Sequence, residues 1–294
     1  MTNDSVEKIA NAVLYEGYML YPYRASAVKN QQRFNFGVLY PREYCELQEG
    51  SDNWEMQTEC LLIGNAGTPA EVKVRFLQLS AGHEAMERAA SIGGASLPAL
   101  RAQPLLHRFH FDAIEGEIEL TAQPVDDHCF KITLVIRNLA KLANAAALTR
   151  DDILQRSLVS VHSILQASGG RFISSIDPPD EYRTAVSECR NIGAWPVLAG
   201  EEGQQETVLS APIILYDYPQ IAPESPGDLF DGTEIDEILA LRILTMTDAE
   251  KFEVRNGDDR ARQILERTEM LPPEHFQKLH GALRSLRSNL ERSL

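Results

Sequence analysis

Apolar and polar residues alternate with a period of two in several stretches of the first 217 residues. The pattern is clearest from 113 to 138, where two alternating stretches lie on either side of a loop that contains Pro124. The apolar positions are Ile118, Leu120 and Ala122 before the loop, and Phe130, Ile132, Leu134 and Ile136 after it. Because successive side chains of a β-strand point to opposite faces of a sheet, this pattern predicts a β-hairpin with one buried face.

Shorter alternating stretches predict the other strands of this region. They are 33–40, 57–63, 71–79, 157–166, 171–176, 206–210 and 212–217. The turn Ser168–Gly170 joins two of these strands and predicts a second hairpin. Short helices are predicted where Thr149 can cap a first turn, and from Asp177 to about Arg190.

Beyond Pro226 the apolar period changes from two to about 3.6, which is typical of amphipathic helices. Helices are predicted to begin at Thr233, Thr247 and residue 258, and a last one follows Pro273. The last helix has Phe276, Leu279, Leu283, Leu286 and Leu290 at alternating steps of three and four. Such a seam needs a surface to cover it, so we expect it to dock on this chain, on a second copy through 273–292, or on a partner.

Together these elements predict an α+β fold. Antiparallel β-sheets with short helices form a β-rich domain over 1–217, a sandwich being one arrangement that would bury their apolar faces. A helical C-terminal region over 226–294 packs on this domain. The stretch Pro219–Asp231, rich in proline and glycine, would join the two.

The chain of 294 residues is acidic, with 28 basic and 43 acidic side chains and a net charge of −15 at pH 7. Most of the excess lies in 177–253, where 4 basic and 17 acidic residues are interleaved with apolar ones. Binding to a nucleic acid depends on neutralising phosphates with lysine and arginine. We therefore expect no nucleic-acid partner.

The sequence also predicts where the protein works. It has no run of 18 apolar residues that could span a membrane, and Met1–Glu7 lacks the basic start of a signal peptide. The four cysteines, Cys45, Cys60, Cys129 and Cys189, lie far apart without a C-x-x-C pair. Isolated thiols are typical of a reducing compartment, so we expect a cytoplasmic protein without a membrane span.

The common motifs for nucleophiles, phosphate loops and dinucleotides do not occur in the sequence. The best metal candidates are His107, His110 and Asp112, to which His128 of the nearby hairpin loop could be added. Residues three apart in a strand point to opposite faces, so the two nearer histidines could share an ion only through a bulge. We therefore expect ordinary histidines and no metal or other cofactor.

An acidic stretch, 224–237, is a candidate for binding a basic partner. It holds six carboxylates, of which Glu224, Asp228, Asp231 and Glu234 are the candidate contacts. Coordination of a hard cation is an alternative, although the spacing differs from that of an EF-hand loop. A turn followed by a helix start is the favoured explanation of the stretch, because carboxylates are favourable in the first turn of a helix.

The segment from Tyr18 to Arg42 is a second candidate, since it repeats an aromatic–proline–basic unit. Its candidate contacts are Tyr21, Tyr23, Arg24, Lys29, Asn30 and Arg33. Tyrosine and arginine are enriched at protein interfaces. The alternative is that these side chains pack on the sheet or pair with carboxylates of the same chain.

Several segments of the sequence carry a family resemblance. They are Val13–Arg24, Lys29–Asn30, Phe36–Pro41, Leu215–Glu224 and Asp231–Leu239. They resemble a family of uncharacterised bacterial proteins that is associated with gene clusters of oxygen-tolerant, actinobacterial-type nickel–iron hydrogenases. The resemblance covers about residues 12 to 285 and transfers no catalytic residue.

The resemblance implies an accessory role in the assembly, maturation or stabilisation of a hydrogenase-type metalloenzyme, with a subunit or maturation factor as the partner. We therefore expect a non-catalytic protein that acts by binding another protein. One alternative is a metal-dependent, hydrolase-like enzyme that uses His107 and His110 or the carboxylates of 228–237. A dimeric structural protein held by the last helix is another.

Overall fold

The computed structural model describes residues 6–11, 13–14, 37–48, 52–80 and 85–220, together with positions 251, 255, 262, 265 and 266. The chain divides into two compact units. One consists of Met1–Tyr18 and Arg33–Gln220, and the other of Met19–Gln32 and Ile221–Leu294. Nearly all of the described residues belong to the first unit.

The first unit is built mainly of strands. The strands are β1 (Glu55–Ile63), β2 (Pro69–Leu79), β3 (Ala85–Ser96), β4 (Leu105–Phe111), β5 (Ile114–Pro124), β6 (Cys129–Asn138), β7 (Val159–Gln166), β8 (Arg171–Phe172), β9 (Trp195–Leu198) and β10 (Thr207–Ala211). The helices are α1 (residues 6–11 and 13–14), α2 (Arg42–Leu47), α3 (Leu97–Ala102), α4 (Arg150–Leu154) and α5 (Arg183–Ser187), with 3-10 turns at Ala145–Ala147 and Asp180–Tyr182.

Within the described residues, these strands form two antiparallel sheets of five strands each. Sheet I has the order β4-β5-β6-β1-β8, and sheet II has the order β3-β2-β7-β10-β9. Both sheets contribute to one apolar cluster, to which Leu62 and Leu134 belong from sheet I and Val74 and Leu165 from sheet II. The prediction of antiparallel sheets with a few helices is confirmed.

The predicted hairpin at 113–138 is the pair β5 and β6, with Leu120 opposite Leu134 and Ala122 opposite Ile132. These apolar residues are buried, while Thr121, between Leu120 and Ala122, is half-buried on the other face. The alternation therefore determined both the pairing and the buried face. The predicted helix cap is also present: the Thr149 hydroxyl accepts a hydrogen bond from the backbone N–H of Asp152 at 3.2 Å.

One polar contact joins the two sheets through the core. The hydroxyl oxygens of Thr58 in β1 and Ser210 in β10 lie 2.6 Å apart, and both side chains are buried. Neither hydroxyl can bond to water there, so each depends on the other as a partner.

Replacing one of these two hydroxyls should destabilise the protein more than replacing both. We expect Thr58→Val to lower the free energy of unfolding by about 1–2 kcal/mol, because it leaves the Ser210 hydroxyl buried without its partner. The double variant Thr58→Val/Ser210→Ala should recover most of that loss. Denaturant unfolding of the wild type, Thr58→Val, Ser210→Ala and the double variant measures this, and additive losses would show that the hydroxyls do not depend on each other.

Helix α1 packs on the outer face of sheet II. Its apolar residues Val6, Ile9, Ala10 and Val13 form a cluster with Ile164, Val197, Ala199, Leu209 and Ala211. Arg75, which is 6% exposed, donates hydrogen bonds to Asn11 at 2.6 Å and to Glu7 at 3.2 Å. Lys73 also bonds Glu7, at 2.6 Å. Thus an apolar face and two polar residues fix the helix on the sheet.

A buried histidine lies on the same sheet, opposite Arg75 in the pairing of β2 and β7. The Nδ1 atom of His162 lies 3.1 Å from the carbonyl oxygen of Ser160, which has an unusual positive φ of 55°. Its Nε2 atom is buried and has no hydrogen-bond partner in the described part of the chain. Burial lowers the pKa of His162 to about 3, with smaller contributions from Arg75 and Lys73.

Two predictions about 157–190 are wrong. The strands β7 and β8 do not form a hairpin, because β7 pairs with β2 and β10 in sheet II whereas β8 pairs with β1 in sheet I. The turn Ser168–Gly170, in which Gly169 has a φ of 71°, instead passes the chain from one sheet to the other. The helix predicted to reach Arg190 ends at Ser187. After the helix, the backbone of Arg190 and Ile192 forms hydrogen bonds with Glu59 and Gln57 of sheet I. These bonds require an extended chain, so they end the helix before the local sequence would.

Two other predicted strands, 212–217 and the described part of 33–40, are not regular strands in the structure. In 212–217 the chain lies outside the ladder of sheet II, since β10 ends at Ala211 and Pro212 has no N–H to donate. Of 33–40 the structure describes 37–40, where Leu39 makes isolated bridges to Asn53 and Leu158.

The predicted helical region 226–294 falls almost entirely outside the described residues. Its described positions, 251, 255, 262, 265 and 266, are helical, and Leu265 is buried. The individual helices, the seam of the last helix and the domain boundaries stay predictions. Among the described residues, no helix is long and apolar enough to cross a membrane.

Candidate protein-interaction surface

The edge strands β8 and β9 lie on one side of the two-sheet unit. After α5 the chain first follows sheet I, where Ile192 and Gln57 exchange backbone hydrogen bonds of 2.9 and 3.0 Å. It then enters sheet II, where Trp195 pairs with Ala211. The segment between Ile192 and Trp195 therefore crosses from one sheet to the other.

Half of the exposed large apolar side chains among the described residues belong to β9 or to the segments that follow β8, α5 and β10. These five of the ten are Ile176 (52% exposed), Ile192 (40%), Trp195 (44%), Ile214 (78%) and Tyr216 (84%). We call these five side chains the β8–β9 surface. Exposed apolar groups that gather at one place are typical of interaction sites, and Trp and Tyr are the side chains that most often dominate binding energy.

The alternation in 213–216 places two of these side chains. Ile213 and Leu215 pack against the apolar cluster beneath α1. Because neighbouring residues of an extended chain point in opposite directions, Ile214 and Tyr216 face solvent. The same docking that buries one face of the segment therefore exposes the other.

Hydrogen bonds hold the backbone of this surface. The Asp217 carboxylate accepts bonds from the Ser174 hydroxyl at 2.5 Å and from the backbone N–H of Leu198 at 2.8 Å. The Tyr218 N–H donates to the carbonyl of Leu198 at 2.7 Å, and the Ser175 hydroxyl donates to the carbonyl of Pro196 at 2.6 Å. The segments after β8 and β10 are thus both tied to β9.

A buried carboxylate fixes the segment that precedes Ile192. Glu59 of β1, whose side chain is 9% exposed, accepts a bond from the backbone N–H of Arg190 at 2.7 Å. The backbone N–H of Glu59 donates to the Asn191 side chain at 2.8 Å. Preorganised backbone of this kind reduces the entropy lost on binding.

The surroundings of the surface are acidic. Residues 171–220, which begin with β8, contain eight acidic and three basic side chains, and one of the basic ones is the exposed Arg171 of β8 itself. One salt bridge lies within this stretch in the described part of the chain, between Arg183 and Asp180 at 2.9 Å. Most of the carboxylates are therefore left to attract a cationic partner.

The histidines proposed as metal ligands are not gathered at one site. His107 and His110 lie on β4, three residues apart and hence on opposite faces. Asp112 accepts a bond from Arg88 at 3.2 Å, and His128 is exposed in the loop between β5 and β6. Within the residues that the structure describes, no three His, Cys, Asp or Glu side chains are placed to hold a metal ion.

The cysteines do not provide a reactive thiolate. Burial raises the pKa of Cys45 and Cys189 to about 11 and that of Cys129 to about 12, and it raises the pKa of Cys60 still further. These thiols are therefore protonated at neutral pH, and the protonated form is a poor nucleophile.

The other predicted contact residues lie outside the described residues. They are Tyr21, Tyr23, Arg24, Lys29, Asn30 and Arg33 of the N-terminal segment, and Glu224, Asp228, Asp231 and Glu234 of the acidic stretch. Their roles in binding stay predictions.

Sequence reasoning missed the β8–β9 surface. No strand was predicted at Trp195–Pro196, although proline is tolerated on an edge strand. Ile214 belonged to a predicted strand, whose alternation did not reveal which face would be buried. The sequence feature that could have indicated the surface is the presence of Trp195 and Tyr216 within an acidic segment.

Comparison of the chain with protein-family models, with curated proteins and with solved structures finds no match.

Proposed function

We propose that the protein is a non-catalytic, cytoplasmic accessory protein that binds another polypeptide, and that this partner is a subunit or maturation factor of a hydrogenase-type metalloenzyme. The family resemblance motivates the identity of the partner. The binding role is supported by the β8–β9 surface, which is the observation that carries the proposal.

The surface has the features of a protein-binding site. Trp195 and Tyr216 offer large, rigid side chains that bury much area at a small cost in conformational entropy. They are 44% and 84% exposed, so much of that area is still accessible to solvent. A partner that covers them gains apolar burial, while the backbone beneath is already fixed by the bonds of Leu198 and Glu59.

The proposal predicts co-purification that depends on this surface. Tagged full-length protein, expressed in its own host, should recover a hydrogenase subunit or maturation factor. The variant Ile214→Ser/Tyr216→Ser should recover at least tenfold less partner, because it removes apolar side chains that would contact the partner. Both side chains are exposed, so the change should leave the fold intact. Quantitative mass spectrometry of the recovered proteins measures both.

A matched control is Leu47→Ser/Leu106→Ser. These side chains are 57% and 56% exposed, on α2 and β4, so the same chemical change is made away from the surface. This variant should behave as the wild type. If no hydrogenase subunit or maturation factor is recovered under gentle conditions, the identity of the partner is wrong. If both variants recover the partner equally well, binding does not use the β8–β9 surface.

A further inference from the structure

We infer that the β8–β9 surface recognises a cationic, amphipathic segment of its protein partner. This inference rests on the proposed function and adds the chemistry of the partner. It follows from two independent features of the segments around β9: their exposed apolar side chains and their excess of carboxylates.

The carboxylates are distributed at both ends of β9. Asp177 directly follows Ile176 in the chain, next to the Trp195 end of the strand. At the other end, Glu201 and Glu202 follow β9 in an exposed turn that is closed by a bond of 3.0 Å between the N–H of Gln204 and the carbonyl of Glu201. A partner that lies along β9 therefore meets negative charge at either end.

These carboxylates are not neutralised locally. Asp177, Glu201 and Glu202 form no salt bridge within the described part of the chain, in contrast to Asp180 with Arg183. Lysine or arginine side chains of a partner would gain attraction without breaking an existing pair, and the attraction would also speed association. An anionic partner would instead be repelled.

The apolar centre adds to the preference for cations. Exposed indole and phenol rings attract Lys and Arg through their π faces, most strongly in the case of Trp. Trp195 and Tyr216 can therefore contact the alkyl stems and the charged ends of basic side chains. Apolar residues of the same segment would cover Ile214 and Ile192.

Two synthetic peptides test the inference. Both are about 15 residues long and share the same leucine and tryptophan positions of an amphipathic helix, but one carries lysine and the other glutamate at the polar positions. Fluorescence anisotropy with the full-length protein should show at least tenfold tighter binding of the lysine peptide. About 0.5 M salt should weaken this binding severalfold.

Matched variants locate the binding. Glu201→Lys/Glu202→Lys should weaken the binding of the lysine peptide at least fivefold and strengthen the binding of the glutamate peptide. Ile214→Ser/Tyr216→Ser should weaken the binding of both peptides. The control Glu115→Lys/Asp127→Lys makes the same charge change at two exposed positions, one on β5 and one in the loop between β5 and β6, and should change neither affinity.

The outcomes separate this inference from the proposed function. Co-purification that is lost in Ile214→Ser/Tyr216→Ser but retained in Glu201→Lys/Glu202→Lys would overturn the cationic segment and leave protein binding in place. Failure of the lysine peptide to bind, or equal binding of both peptides, would also overturn it. A fall in solution mass for Ile214→Ser/Tyr216→Ser would show that the surface joins two copies of this chain and would overturn it as well.

Discussion

Acidification from pH 6.5 to about pH 3.5 should destabilise the wild-type protein more steeply than a His162→Gln variant. His162 is wholly buried under α1, and its burial lowers its pKa to about 3, against an ordinary value of 6.5. In this window the unfolded chain binds a proton that the folded chain does not. The contribution of His162 to the free energy of unfolding is therefore complete above pH 6.5 and is lost as the pH falls. The loss is on the order of 4 kcal/mol over the whole window.

The charged groups around His162 oppose its protonation. Arg75 and Lys73 of β2 are cationic, and Glu7 of α1, which bonds both, is the acid that faces them from the helix. Glu87 of β3 also accepts a bond from Arg75, at 3.2 Å. Protonating the buried His162 adds a third positive charge beside Arg75 and Lys73. The helix is fixed there by the Glu7 and Asn11 bonds to Arg75, so we expect α1 to leave the sheet when His162 is protonated.

The measurement is the free energy of unfolding as a function of pH for three proteins: the wild type, His162→Gln and His162→Leu. Carboxylates titrate in all three, so the difference in slope isolates the histidine. His162→Leu also removes the buried Nε2 atom, which has no hydrogen-bond partner among the described residues. Removal of this atom breaks no hydrogen bond and should not lower the free energy of unfolding at pH 7. Parallel curves for all three proteins would show that His162 does not control acid stability.

Gly116→Ala should destabilise the protein by about 3 kcal/mol, at the upper end of the range for overpacked cores. Gly116 of β5 lies opposite Phe109 of β4. A Cβ atom at this position would lie 2.2 Å from the Cζ atom of Phe109, whose ring is 7% exposed and packs against Phe76 at a centroid distance of 5.6 Å. The ring cannot move away without displacing its neighbours.

A matched control and a second-site change test this explanation. Gly93→Ala places the same methyl group on β3, where nothing lies within 4 Å of the new Cβ, so its effect should be small. Phe109→Leu in the Gly116→Ala background should cost much less than the sum of the two single changes, because the clash needs both groups. Thermal and denaturant unfolding measure the wild type, the three single variants and the double variant, and strict additivity of Gly116→Ala and Phe109→Leu would exclude the steric explanation.

Local sequence pattern was sufficient where the structure is local. The hairpin of β5 and β6 follows from its alternation, because the two strands are neighbours in sequence and share one buried face. By contrast, β1 pairs with β6 over a long separation, with Cys60 opposite Ile132, and nothing in either strand indicates this register. The path of the chain after Gly170 was equally ambiguous, since the same turn can close a hairpin or lead to another sheet.

The candidate surface depended on tertiary contacts that a sequence pattern does not contain. The exposure of Ile214 follows from the docking of Ile213 beneath α1, and α1 is about 200 residues away in the chain. The position of Ile192 depends on its bridge to Gln57. The excess of carboxylates could be counted in advance, but the apolar side chains that they surround could not.

The hydrogen bonds along the edge of β9 also determine how the protein can be recognised. Pro196 has no N–H, and its carbonyl already accepts a bond from Ser175. Both backbone groups of Leu198 are engaged by Asp217 and Tyr218. A foreign strand therefore cannot extend sheet II at this edge, and neither can the same edge of another copy, which removes a common route to fibril growth. Whatever docks here must be selected by its side chains, so single substitutions in the partner should change its affinity.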